Sequence, residues 1–305
     1  VSRTLKVGAA QLGPIARDES RTDVVIRLLA LLHEGAAAGC GLVAFPELAL
    51  TTFFPRWYTD DIAGHDRFYE TDMPGAETQP LFDTARKLGV GFALGYAELT
   101  DGHRFNTTVL VERDGSIVGH YRKTHIPGHE DNEPWRPFQH LERRYFEESS
   151  EGFHVWEAFG GRIGIATCND RRWPETYRVL GLQGVEMILI GYNTPIHYPP
   201  DPTQDRLQGF HNHLVMQSGA YQNGTWVVGV AKGGTEEGVE SLAESAIIAP
   251  SGEIVAQAGT DGDELVVAEA DLDRCAHYKE TLFDFDRYRR PEMYSRITAQ
   301  KGALK

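Results

Sequence analysis

The stretch Arg162-Ile163-Gly164-Ile165-Ala166-Thr167-Cys168-Asn169-Asp170-Arg171-Arg172-Trp173-Pro174-Glu175 decides how the chain is organised. Its first six residues read as a β-strand. Pro174 opens a predicted helix over residues 174–184, because proline is at home in a first helical turn, where an N–H has no partner anyway. A strand running through a polar turn into a helix is the repeating unit of a layered α/β fold. It also sets one thiol at the C-terminal end of a strand, the rim where α/β sheets bind ligands.

The same grammar extends outward. In the first half, residues 5–12 read as a strand. Residues 19–38 read as a helix, with Val25, Leu28, Leu29 and Leu32 at helical spacing, a start signal at Ser20 and Asp23 and a stop at Gly39. Residues 42–45 form a short strand that ends at Pro46-Glu47. A helix over 78–88 and a strand over 90–99 follow. Strands over 107–112 and 116–121 are joined at Asp114-Gly115, a hairpin signal. Residues 125–146 are dense in Pro, His, Glu and aromatics without a period, and predict a long ordered loop of the functional kind. The second half repeats the scheme. Strands are predicted over 154–159 and 162–167 with a turn at Gly160-Gly161, then over 187–190, 226–231, 246–249, 253–258 and 265–270, with a long helix over 205–223. Two similar halves, each pairing helices with a sheet, predict one domain over residues 1–305 built as a four-layer αββα sandwich. The tail over 273–305 carries Tyr278, Tyr288, Arg289, Arg290 and Tyr294. Such residues are enriched at interfaces, so docking on a neighbouring subunit and a plain surface arm both stay open.

Composition narrows the function. The 305 residues are 41% hydrophobic and 24% charged, which suits a globular chain with a large core. A net charge of −14 argues against nucleic acid as a partner, because phosphate binding needs clustered Lys and Arg. Three widely spaced cysteines form no CxxC pair, and a reducing cytoplasm is expected. No signal-peptide core opens the chain and no run is long enough to cross a membrane, so neither secretion nor a membrane partner is expected.

Of the cysteines, Cys40 and Cys275 read as buried structural thiols. Cys168 differs. Arg171 and Arg172 follow it, and cations or a helix N-terminus activate a thiol. The N–H of Asn169 is placed to face a developing oxyanion. A thiol that attacks an amide needs a base. Histidine is the usual one, and the chain has 12. Glu47, at the end of a buried strand, offers a desolvated carboxylate for the same task, or a structural ion pair. Lys123 ends another strand, as an oxyanion partner or a surface charge. His211 and His213 invite a zinc reading, but residues two apart on a helix point to different faces.

Phe45-Pro46-Glu47, Tyr121-Arg122-Lys123 and Cys168-Asn169-Asp170 together resemble the Glu-Lys-Cys signatures of the nitrilase superfamily. The longer runs Cys168 to Glu175, His125-Ile126-Pro127-Gly128-His129 and Tyr192-Asn193-Thr194-Pro195 look like one branch of it, the N-carbamoyl-D-amino-acid amidohydrolases. The resemblance runs over nearly the whole chain. It implies a sandwich of the nitrilase type and a homodimer or homotetramer. It also implies hydrolysis of an N-carbamoyl-D-amino acid to the D-amino acid, ammonia and carbon dioxide, with no metal or other cofactor. By motif it implies a catalytic set of Glu47, Lys123, Cys168 and Glu142. Substrate contacts fall on Arg171, Arg172, Asn169, Asn193, His125, His140 and His211. An amidase for 3-ureidopropionate or an aliphatic amide would keep the triad without needing the arginine pair. A non-catalytic binding protein would be expected to lose a triad residue.

Overall fold

Strands covered on both faces carry unbroken apolar runs, since neither side of the pleat meets water. Such runs form the centre of both sheets in the structure, a computed structural model that describes residues 2–303. The first half supplies β1 (Thr4–Gln11), α1 (Arg21–Ala37), β2 (Leu42–Ala44), β3 (Tyr69–Glu70), α2 (Gln79–Leu88), β4 (Gly91–Thr100), β5 (His103–Val111) and β6 (Ile117–Arg122). The second supplies α3 (Glu142–Tyr145), β7 (Val155–Ala158), β8 (Gly161–Thr167), α4 (Pro174–Leu182), β9 (Met187–Tyr192), α5 (Gln208–Asn223) and β10 (Trp226–Ala231). It continues with β11 (Gly233–Glu236), β12 (Val239–Leu242), β13 (Ala246–Ile248), β14 (Ile254–Gln257) and β15 (Glu264–Asp271).

The first sheet has the order β15-β1-β2-β4-β5-β6, with β3 beside β4, and the second the order β14-β13-β10-β9-β8-β7. The central neighbours are parallel and the outer ones antiparallel. The inner faces meet through Val7, Ala44 and Leu110 on one side and Ile163, Leu189 and Val228 on the other. Val25, Leu28 and Phe82 of α1 and α2 cover the first sheet's outer face. Tyr177, Leu180 and Met216 of α4 and α5 cover that of the second. Each such aliphatic side chain contributes roughly 1.5–3 kcal/mol by leaving water. The four layers are those expected.

Ser20 caps α1 by accepting the Asp23 N–H, and Gly39 turns the chain at φ +81°, as the sequence predicts. Other expectations fail at turns. A second hairpin at Asp101-Gly102, both at positive φ, starts β5 four residues earlier than expected. The hairpin of β11 and β12, turning at Glu237-Gly238, was not anticipated. The helix expected from residue 205 begins at Gln208, after a 3-10 turn over Pro202–Leu207. The tail forms α6 (Arg274–Glu280), α7 (Phe285–Tyr288) and α8 (Ser295–Ala299). It packs on its own chain, with Phe283 against Tyr221 and Phe285 under Arg178. No helix among the described residues is long and apolar enough to cross a membrane.

Candidate active site

Four parallel strand ends meet at one rim. Glu47 lies three residues past β2, Cys168 directly past β8, Asn193 past β9 and Lys232 past β10. Lys123 joins them from the end of β6, its backbone N–H donating to Asn106 O at 2.8 Å. Glu142, the first residue of α3, completes the group. The long loop over residues 125–146 is therefore not wholly irregular, as expected, but closes with a helical turn that aims this carboxylate inward.

Glu47, Lys123 and Glu142 are buried, and Lys123 ties the two acids together. Its Nζ donates to Glu47 Oε1 at 2.7 Å and to Glu142 Oε2. Glu47 Oε1 also accepts from Asn106 Nδ2 at 2.7 Å, and Glu47 Oε2 from the backbone N–H of Asn193 at 3.0 Å. Glu142 Oε1 pairs with His140 Nε2 at 2.7 Å. One carboxylate oxygen of each glutamate and Cys168 Sγ lie within 4.8 Å of one another. Burial works against the charge on Lys123, yet the negative groups around it win and hold it protonated. Burial likewise works against ionised Glu142, and Lys123 and His140 outweigh it, so its carboxyl sits below its ordinary value.

Two glycines clasp Glu47. A Cβ on Gly95 of β4 would lie 2.5 Å from Pro46 O, and one on Gly191 of β9 would lie 2.6 Å from Glu47 N. Strands from both sheets thus approach the same peptide closely, which only glycine permits.

Cys168 has φ +48°, a conformation rare for a side-chain-bearing residue and one that functional turns retain. Asp170 holds that turn. It accepts from the Thr167 N–H at 2.9 Å, the Tyr121 hydroxyl at 2.7 Å and the His125 N–H at 2.9 Å, and its Oδ1 contacts His125 Nδ1 at 2.7 Å. A 3-10 turn over Cys168–Arg172, not the α-helix itself, follows the strand. The activated thiol expected from the arginine pair is not what the surroundings produce. Burial, and then the charge of Glu47, push Cys168 up to about 12, against Lys123 and Arg171. At rest Cys168 is therefore a neutral thiol, with the Glu47 carboxylate close beside it.

The expected substrate contacts separate. A cavity of about 370 Å³ opens on Cys168 and is lined in part by Asn169, Asn193, His140 and Arg172. Arg171 is a correction. It is buried and turned away, donating to Cys168 O at 2.7 Å, Thr194 Oγ1 at 2.7 Å and Asn212 Oδ1 at 2.9 Å. Its guanidinium, stacked 4.2 Å from the Tyr192 ring centre, braces the Cys168 turn, with its donors taken up inside the protein. His125 is likewise occupied, by Asp170 and by stacking on Trp173. His211 does not line this cavity, whereas Gln208, one turn earlier on α5, does. Asn106, Asp170 and Asn212 were missed. No local pattern marks them, since each gains its role from contacts with distant segments. A larger, mostly apolar cavity of about 820 Å³ lies between α4, α5 and the tail, and no cysteine lines it.

Relatives share this frame. An N-carbamoylputrescine amidase of Arabidopsis thaliana is 30% identical over 284 residues, 90% of this chain and 89% of its own length. A citrullinase of Francisella tularensis is 27% identical, covering 96% of this chain and 98% of its own. The crystal structure of a carbon-nitrogen hydrolase from Helicobacter pylori superposes with a TM-score of 0.84 at 22% identity, over 98% of this chain and 99% of that one. Residues 6–280 match the Carbon-nitrogen hydrolase family, and with a Glu-Lys-Cys group at the shared rim of two sheets, the chain belongs to that family.

Proposed function

We propose that the protein hydrolyses the ureido group of N-carbamoyl amino acids, substrates that carry a free carboxylate, with the D configuration as the motif resemblance implies. The supporting observation is the charge of the cavity wall. Arg172 lines it beside Cys168 with no carboxylate partner among the described residues, and no Asp or Glu lines it. A guanidinium fork matches a carboxylate in bidentate geometry. The amine end of N-carbamoylputrescine, the substrate named for the Arabidopsis relative, would meet a cation there instead.

In this reading the carboxylate rests on Arg172 and the ureido carbon faces Cys168. Glu47 takes the thiol proton as Sγ bonds to that carbon, and Lys123 with the Asn169 N–H receives the oxyanion. The C–N bond to the terminal nitrogen breaks, Glu47 returns its proton to that nitrogen, and ammonia leaves a carbamoyl thioester. Water, losing a proton to Glu47, opens the thioester, the proton returns to the departing sulfur, and the released carbamate yields carbon dioxide and the amino acid. Glu142 holds Lys123 charged throughout.

Ammonia release from N-carbamoyl-D-phenylalanine, its L form, N-carbamoylputrescine, citrulline, 3-ureidopropionate and a simple amide tests the proposal. A hydrogen-bonded charge is worth about 1.5–3 kcal/mol, roughly 10- to 100-fold in kcat/KM. The D-carbamoyl acid is expected to lead N-carbamoylputrescine by that factor. Faster turnover of the putrescine compound would refute the carboxylate anchor, and equal turnover of the L form would remove the stereochemical part.

A further inference from the structure

Three buried charged residues outside the catalytic group stand against the loop that carries Glu47. Lys232 and Glu236 are each 2% exposed and Arg56 is 7% exposed. Glu236 Oε1 accepts from Arg56 Nη1 at 3.0 Å and from the Phe53 N–H at 2.6 Å. Its Oε2 accepts from the Ile15 N–H at 3.0 Å and from Lys232 Nζ at 3.3 Å. Lys232 Nζ also donates to Thr51 O. Thr51, Phe53 and Arg56 all belong to the segment that leaves Glu47. Within that segment Pro55, directly before Arg56, accepts at its carbonyl oxygen the N–H of Leu141 at 2.7 Å, and Leu141 directly precedes Glu142. One buried cluster therefore grips the connection between the two catalytic carboxylates.

The charges complement each other. Glu47, Glu142 and Lys123 sum to one negative charge while Cys168 is neutral. Arg56, Lys232 and Glu236 sum to one positive charge. In a medium that screens poorly, buried charge of one sign is costly unless the other sign lies near. Lys232 feels Glu47 as well as Glu236 and Arg56, although burial is the largest influence on it. The groups facing Glu47 are Lys123, Glu142 and Cys168 with the amides of Asn106 and Asn193, and Lys232 stands behind them.

We propose that Lys232, Glu236 and Arg56 are positioning residues of the reaction: they supply the buried positive charge that balances Glu47 and Glu142 and hold the loop between them. This rests on Glu47 as the proton acceptor of Cys168, not on the choice of substrate.

The test uses the full chain and the rate of Cys168 alkylation by iodoacetamide from acid to neutral pH, read from the mass of its tryptic peptide. The rate falls on the acid side of the profile, and the position of that acid limb is the readout. Lys232→Met removes a positive charge, so carboxylates keep protons to higher pH and the acid limb moves up by about half a pH unit, close to threefold in rate at a fixed pH on the limb. Glu236→Gln removes a negative charge with nearly the same shape and moves the limb down. Lys232→Arg restores the wild-type limb. Loss of packing alone would lower the reactive fraction without moving the two limbs in opposite directions. Limbs that stay in place, or move together, overturn the proposal. Should Lys232→Met not fold, Glu236→Gln decides alone, since an unmoved or raised limb overturns it. Failure of wild-type Cys168 to alkylate would instead overturn its reading as the nucleophile.

Discussion

Arg171 donates from Nη1 to the carbonyl oxygen of Cys168 at 2.7 Å, so the cation three residues after the cysteine holds that residue's backbone. Arg172, next in the chain, faces the cavity. Adjacent residues on a tight turn point in different directions, and the two arginines accordingly divide bracing from recognition.

That division predicts different kinetics. Arg171→Gln releases the strained turn at Cys168, and misplacing a nucleophile by about 1 Å costs on the order of 100-fold. The loss is expected in kcat. Arg172→Gln is expected to raise KM for a carboxylate substrate by roughly 10- to 100-fold with kcat largely kept. Steady-state kinetics of both variants on one N-carbamoyl amino acid check the pair, and interchanged effects would reverse the assignment.

The neutral thiol predicts a silent spectrum. Burial pushes Cys168 up to about 12, so at pH values well below that it carries no thiolate. Cys275, pushed up to about 12, and Cys40, to about 11, are silent for the same reason of burial. Thiolate absorbance in the far ultraviolet should stay flat from neutral pH to about pH 9, the ordinary thiol value. A rise near neutrality that vanishes in Cys168→Ala would show a preformed thiolate and remove the need for Glu47 as base.

Lys123→Met should reverse the acid response of stability. In the wild type, Glu142 sits below its ordinary value of 4.5 because Lys123 and His140 outweigh its burial. Its contribution is present above that value and is lost as pH falls through the folded one. Without Lys123 two buried carboxylates lose their shared cation, at a cost of about 3–5 kcal/mol near neutral pH. Protonation then relieves the variant, which should gain stability on mild acidification while the wild type does not. Denaturant midpoints at two pH values measure this, and parallel acid losses in both proteins would contradict it.

Gly191→Ala should impair catalysis without touching the cavity. The added methyl would lie 2.6 Å from Glu47 N and 2.8 Å from Pro46 C, both backbone atoms with little room to give. Glu47 must shift, and a kcat loss of about tenfold or more at similar KM is expected. Unchanged kcat in a folded variant would show that the base tolerates the displacement.

Much of the site was legible because Glu47, Lys123 and Cys168 each follow a strand, and the two charges are not explained by the apolar strands before them. Lys232 follows the same rule after Trp226–Ala231 and passed unnoticed, since no motif marked it. Its partners Glu236 and Arg56 are four residues on and far upstream, and nothing local links them. The hairpin that carries Glu236 was missed because its turn, Glu237-Gly238, places a non-glycine residue at positive φ.

By itself the sequence determined the layers and singled out Glu47, Lys123 and Cys168, which the structure brings together. The layers follow from periodicity, a local property, and the three residues from their strand-end positions together with the motif resemblance. The tertiary structure decided the directions of Arg171 and Arg172, the removal of His211 from the cavity wall and the neutral state of Cys168. Each depends on what packs around a side chain from distant segments. Burial near Glu47 outweighs the nearby cations at the thiol, and three hydrogen bonds to Cys168, Thr194 and Asn212 turn Arg171 inward.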